Sequence, residues 1–370
     1  MLSCLSAVAL VAGFLVGCGE GASSDNGNEA ESKGVNDTEV KGAEAKDHGP
    51  FVMPIVVVKF FPMKDGKIDP DISREFRGTL DEARKHTDSI TDDVITALEQ
   101  GSRYHAYSNP DAKPSLDYEV LKTYEFLEPM PAVPKKGDEL PMPDYNKIME
   151  RIDARSWVED KGVKEIWIHG YHVTIGLWES NMSGPYGDIS NSSRDPDDLP
   201  VFKKTYTVYH YNYGRSRNEA LENHMHQIEH VLNYIGDRDV TPQDQWGTLL
   251  FWGKFVGSDI SHKMVPTAQG FYRCGWAHYP PNAEGDYDWA NKRVVMSDIE
   301  DWKPDGSGEK KSITSSLWDG DSYKWFIYWM QSVPGMDNGL TYNGKPLRNW
   351  WFFIADFDTA MANKMKLVAE

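Results

Sequence analysis

Between residues 217 and 235 the chain places Glu219, Glu222, His226 and Glu229 at intervals of three and four, with His230 and Asn233 continuing the row. On a helix this spacing lines up a polar stripe beside an apolar one made of Leu221, Met225, Ile228, Leu232 and Ile235. An imidazole and a carboxylate one turn apart can share a proton or hold one ion. His226-Gln-Ile-Glu229-His230 also has the H-x-x-E-H spacing in which two histidines bind zinc and the glutamate activates water. A solvated helix face accounts for the same row without an ion. The narrower expectation is therefore a divalent metal on His226 with Glu222 or Glu229, with His278 as a candidate to join them.

A second polar constellation runs from His278 through Asn282, Glu284, Asp286, Asp288 and Trp289 to Asn291. Hard oxygen ligands at this density suit Ca²⁺, although the loop lacks the spacing and glycine of an EF-hand, and Asx turns explain the same residues. A third lies in Glu179-Ser-Asn181-Met-Ser-Gly-Pro, and a fourth in Tyr213-Gly-Arg215-Ser216, where a turn runs into a helix N-terminus that favours an anion or carboxylate. The catalytic candidates are Glu179, Arg215, His226, Glu229 and His278, with Asn181, Asn282, Asp286, Asp288 and Trp289 as substrate contacts. GxSxG, HExxH, P-loop and GxGxxG patterns do not occur, which removes the usual support for serine hydrolases, ordinary zincins and nucleotide enzymes.

These groups need a scaffold, and the pattern supplies one. Pro54 to Phe61 is an almost wholly apolar, β-branched run, the signature of a strand buried on both faces of a parallel sheet. Thr79-Leu-Asp-Glu82 is a capping box that opens a helix ending at Gly101. A second strand is predicted over Tyr118 to Leu127, followed by the Pro-rich stretch Glu128 to Pro143 as a surface linker or insertion. Asp144 caps a helix through Tyr145, Ile148, Met149 and Ile152 that ends by Gly162. Strands over Val163 to Gly170 and Thr205 to Tyr213 follow, and Ser216-Arg-Asn-Glu219 opens the helix that stops at Gly236. Strand and helix alternate, so the expected fold is α/β with a largely parallel sheet and flanking helices, its ligands at the carboxyl ends of the strands. From Trp246 the period dissolves, and this aromatic-rich half is expected to pack over the strand ends.

The chain has 370 residues and a formal net charge of −18, which argues against nucleic acid and against an anionic membrane surface. The apolar run from Leu5 ends in Leu15-Val-Gly-Cys18, a bacterial lipoprotein signal, although no Lys or Arg precedes it. Residues 1–18 are then a signal ending at the lipidated Cys18, 19–50 an acidic disordered tether, and 51–370 a single α/β domain. The lipid would tie the protein to the outer or cytoplasmic membrane on its extracytoplasmic side. Cys274 is left without a partner in the mature chain and reads as a small buried residue. Thirteen Trp and eighteen Tyr either fill a large core or line a sugar-binding groove.

Taken together, Glu179 to Pro185, Asn212-Tyr-Gly-Arg215 with His226-x-x-Glu229, His278-x-x-Pro281-Asn282, Asp286-Tyr-Asp288-Trp289-x-Asn291 and Asn349-Trp350-Trp351 resemble the motifs of a family of uncharacterised secreted bacterial proteins. The resemblance spans about residues 54 to 357. It implies one continuous domain and a retained polar set of Glu179, Arg215, Glu219, Glu222, His226, Glu229, His278, Asn282, Asp286 and Asp288. It brings no known reaction. His230 departs from the family pattern, which has a small residue after the glutamate, and this weakens the zincin reading. Two expectations result: a surface-anchored hydrolase acting on an extracellular glycan or peptide through a His/carboxylate site, or a non-catalytic carbohydrate or cell-wall binder using a Trp/Tyr surface.

Overall fold

The structure is a computed structural model that describes residues 48–135, 137 and 139–370. The signal and nearly all of the tether lie outside the described residues. The described residues form one compact unit, built on five strands: β1 (Phe51–Phe60), β2 (Leu116–Phe126), β3 (Glu165–Gly170), β4 (Ser180–Ser183) and β5 (Tyr206–Asn212). Their order in the sheet is β2-β1-β3-β5-β4, with every pair parallel except β4 against β5. The fold is thus α/β with a mostly parallel sheet and flanking helices, as the alternation predicts.

Burial on both faces explains the apolar run of β1. Met53, Ile55 and Val57 point into one core layer, and Val56, Val58 and Phe60 into the other. The first layer is closed by helices α1 (Leu80–Gly101) and α3 (Arg217–Ile235), both opened by the expected capping boxes on Thr79 and Ser216. The second is closed by α2 (Tyr145–Arg151), capped by Asp144 and contributing Tyr145, Ile148 and Met149.

Three local expectations need correction. The helix after Asp144 ends at Arg151, and Ser156–Asp160 form a separate π-helical turn before Gly162. The Pro-rich stretch carries a short antiparallel ladder between Ala132–Val133 and Met142–Pro143. Periodicity predicts no strand at Ser180–Ser183, because three of its residues are polar and only Met182 is apolar, yet these four, all buried, extend the sheet beside β5.

The aromatic half is placed differently from the expectation as well. Its longest helix, α4 (Ser322–Met330), packs on the outer side of α1 and α3. Trp302, Trp318, Trp325, Trp329, Trp350 and Trp351 join the α1/α3 core layer rather than roofing the strand ends. The Tyr287–Trp289 segment does reach the carboxyl end of β5, where it faces Asn212 across a cleft.

Candidate functional site

The buried indoles hold the loop that carries the second constellation. Trp325 Nε1 and Trp289 Nε1 both donate to the Ala277 carbonyl, at 3.0 and 2.8 Å, and Trp329 Nε1 donates to the Gly275 carbonyl at 2.7 Å. Glu229 of α3 accepts the Ala277 N–H at 2.7 Å. Gly275 sits at φ 78° with the Tyr279 carbonyl so near that a β-carbon would lie 2.4 Å from it, so only glycine fits this turn. Both polar groups of the Ala277 peptide are therefore bound, and the next side chain, His278, is aimed at α3.

There it meets His226. The two Nε2 atoms lie 2.8 Å apart, with Glu222 Oε1 2.9 Å from His278 Nε2 and 3.9 Å from His226 Nε2. Each ring is held from behind by a carboxylate: His226 Nδ1 by Glu179 at 2.8 Å, and His278 Nδ1 by Asp286 at 2.9 Å. The imidazoles are only 11% and 12% exposed. Asn191 Nδ2 donates to the same Glu179 oxygen at 2.5 Å, and the Glu179 N–H donates to Ser192 Oγ, which orients this carboxylate.

The electrostatics favour positive charge at this point. Burial opposes charging of His226, but the hydrogen bond and charge of Glu179, with the charges of Glu229 and Glu222, hold its pKa up at about 9. For Glu179, burial pushes upward and is overruled by His226 and His278, which hold the carboxyl below its usual range. Glu229 is shifted the other way, its pKa raised by burial against the pull of His226. Ligand atoms of Glu222, His226 and His278 all fall within 4.8 Å of one another, the geometry of a three-residue metal set.

Glu179 and Glu222 of the cluster also line a cleft of about 360 Å³, together with Asn212, Arg215, Asn218, Glu219, Tyr287 and Trp289, among others. Of the catalytic candidates, Glu179, His226 and His278 converge. Arg215 lines the cleft but is paired with Glu75 at 3.8 Å. Glu229 supports the Ala277 peptide instead of facing the imidazoles, so the carboxylate nearest the expected metal is Glu222 and the second imidazole comes from His278. His230 turns away toward Arg194, 3.4 Å from its guanidinium, and burial with the charges of Arg238 and Arg194 lowers its pKa to about 4. The zincin pairing of His226 with His230 is therefore not made.

Among the expected substrate contacts, Asp286 orients His278 and Trp289 lines the cleft. Asn282 is fully buried, its amide donating to the Asn291 and Arg293 carbonyls, and Asp288 accepts from the Glu284 N–H and the Asn291 amide. Both stitch the loop together. Asn181 is buried on β4 beside a small separate cavity with Asp188 and Asp198, away from the cleft. Tyr287 is the participant that sequence reasoning passed over. Its ring lies 4.0 Å from that of His278, it is 52% exposed, and its φ of 58° is unusual for a bulky residue. Its place inside Asp286-Tyr-Asp288 was the only available signal. None of the thirteen Trp is exposed, so a flat stacking platform of indoles takes no support from the fold. Cys274 is buried, as read from its neighbours.

No protein-family model matches this chain, and no curated protein sequence matches it significantly.

Proposed function

We propose that this protein is a lipid-anchored, extracytoplasmic hydrolase that holds a divalent transition-metal ion on His226, His278 and Glu222. One observation carries the reading. Glu179 and Asp286 accept from the two Nδ1 atoms, so a metal ion that displaced the proton favoured at His226 would leave each ring its Nδ1–H and meet the two Nε2 lone pairs. The two Nε2 atoms and one Glu222 oxygen meet at one point, where a proton or a metal ion would relieve the repulsion of their lone pairs. Carboxylates behind metal-bound imidazoles are the usual means of fixing tautomer and orientation. Two nitrogens and one oxygen suit zinc and its neighbours better than Ca²⁺ or Mg²⁺.

Such an ion polarises a carbonyl and acidifies a bound water. Glu222 and Glu179 border both the cluster and the cleft, so substrate would reach the ion from that side, while Glu179 would hold the His226 ring by its Nδ1–H. The motif set quoted above supports placing the chain with the secreted proteins it resembles, and the Cys18 signal supports the membrane face. Among the described residues no helix is long and apolar enough to cross a membrane.

Elemental analysis of purified protein should find about one zinc-class ion per chain, removed by EDTA with a fall in Tm. Absence of stoichiometric metal together with a Tm indifferent to EDTA would overturn the proposal. Independently, Cys18→Ser should move the protein out of the membrane fraction, and unchanged fractionation would remove the anchor.

A further inference from the structure

From the chemistry of the cleft walls we infer that the substrate is an uncharged glycan bearing acyl groups, and that the bond cut is the acyl amide or ester rather than the glycosidic bond. This rests on the metal-dependent reading above and names its substrate. Charge comes first. Glu179, Glu219 and Glu222 line the cleft, and its lining cation, Arg215, already faces Glu75. Phosphate esters, nucleic acids and acidic polysaccharides would meet net negative charge even with a divalent ion bound.

The hydrogen-bonding capacity of the walls is that of amides and hydroxyls. Asn218 Nδ2 donates to Ser322 Oγ at 2.7 Å, and Asn223 Nδ2 donates to the His210 carbonyl at 3.0 Å. Asn212 is held between Glu75 and the Gly214 N–H. Each carboxamide has four hydrogen-bonding positions, so these contacts fix its orientation and leave capacity for sugar hydroxyls. Tyr287 and Trp289 supply aromatic surface on the opposite wall.

A peptide is the competing occupant, and the fold disfavours it. A common grip on extended peptides adds a strand to a free sheet edge. The edge strand next to Glu179 is β4, all four of its residues are buried, and the Met182 N–H already donates to Ser190 Oγ. The same walls decide which bond of a glycan reacts. Glycosidic cleavage uses two carboxyl groups flanking the bond. Here Glu222 would be taken up by the ion and Glu219 is tied into the capping box by the N–H and hydroxyl of Ser216, which leaves Glu179 without a partner carboxyl. A metal-polarised carbonyl needs no such pair. Water oxygen would bond to the acyl carbon, the C–N or C–O bond to the sugar would break, and the water's proton would go to the departing nitrogen or oxygen. The products are a free carboxylic acid and a glycan of unchanged length.

The test loads the full chain with Zn²⁺ and offers N-acetylated chitohexaose and acetylated xylan, with polygalacturonate and casein as comparators. Acetate should appear from at least one glycan while mass spectrometry shows the sugar chain intact, and Tyr287→Ala should raise KM about tenfold without changing bound zinc. Shortened glycan, cleaved casein or preference for polygalacturonate overturns the substrate class and leaves the metal hydrolase standing. Bound zinc with no acetate from either glycan also overturns it. No bound zinc and no turnover of any probe is instead the failure of the metal-dependent reading.

Discussion

Histidines at the sheet and at the cleft obey opposite charge logic. His169, His210 and His224 are buried in or against the sheet, and the partner of each ring is a hydroxyl: Thr91 at 2.8 Å, Tyr145 at 2.9 Å and Tyr211 at 2.6 Å. A hydroxyl does not repay the cost of burying an imidazolium. Burial therefore lowers all three pKa values, with His210 at about 3, and the rings stay neutral. His226 is nearly as enclosed, yet its neighbours are carboxylates, and its pKa moves upward. Burial alone is thus a poor guide to function, and the partner decides. Gly170 illustrates how the sheet accommodates its own case, since a β-carbon there would lie 2.5 Å from His210 Nε2.

The comparison breaks most sharply at His278. Replacing it with Ala should abolish stoichiometric metal and reduce hydrolysis at least about a thousandfold, while the EDTA-treated protein melts within a few degrees of the parent. Retained metal would show that the convergence of rings has no function. Asp286→Asn leaves both rings in place and removes only the support behind one. Metal affinity should fall about 10- to 100-fold, read by competition with a chromophoric chelator; unaltered affinity would mean that the carboxylate does not set the tautomer.

The sheet histidines predict a different response. For His210 the folded pKa lies below the unfolded one, so unfolded chains bind the extra proton and stability is lost as pH falls below about 6.5. At pH 5 this one ring costs about 2 kcal/mol relative to pH 7.5. His210→Leu, compared with the parent in urea melts at both pH values in EDTA, should remove that share of the acid sensitivity. Equal acid sensitivity would place the neutral ring elsewhere. The smallest effect belongs to Glu229→Gln. A carboxamide oxygen can still accept the Ala277 N–H, so bound metal should be unchanged and stability should drop by less than about 1 kcal/mol. Loss of metal would make Glu229 a ligand after all.

These contrasts also mark what was legible in advance. The capping residues and the three-to-four spacing on α3 are local, set by 3.6 residues per turn, and the predicted helix matches Arg217–Ile235 at both ends. The apolar, β-branched run of β1 reads as a buried parallel strand for the equally local reason that both of its faces must be apolar. Sequence by itself therefore determined the α/β alternation and placed Glu222 and His226 on one helix face. It named His278, fifty-two residues away, through the quoted motif set and not through any spacing that could bring its ring to His226. That meeting of rings was made by tertiary structure. Indole N–H groups from α4 and Trp289, with Glu229 from α3, fix the Ala277 peptide and aim His278, while the loop beyond β4 sets Glu179 behind His226. Periodicity carries information across one or two turns, whereas a site assembled from a loop, a helix and an edge strand is specified by packing between segments whose order in the chain says nothing of their distance in space.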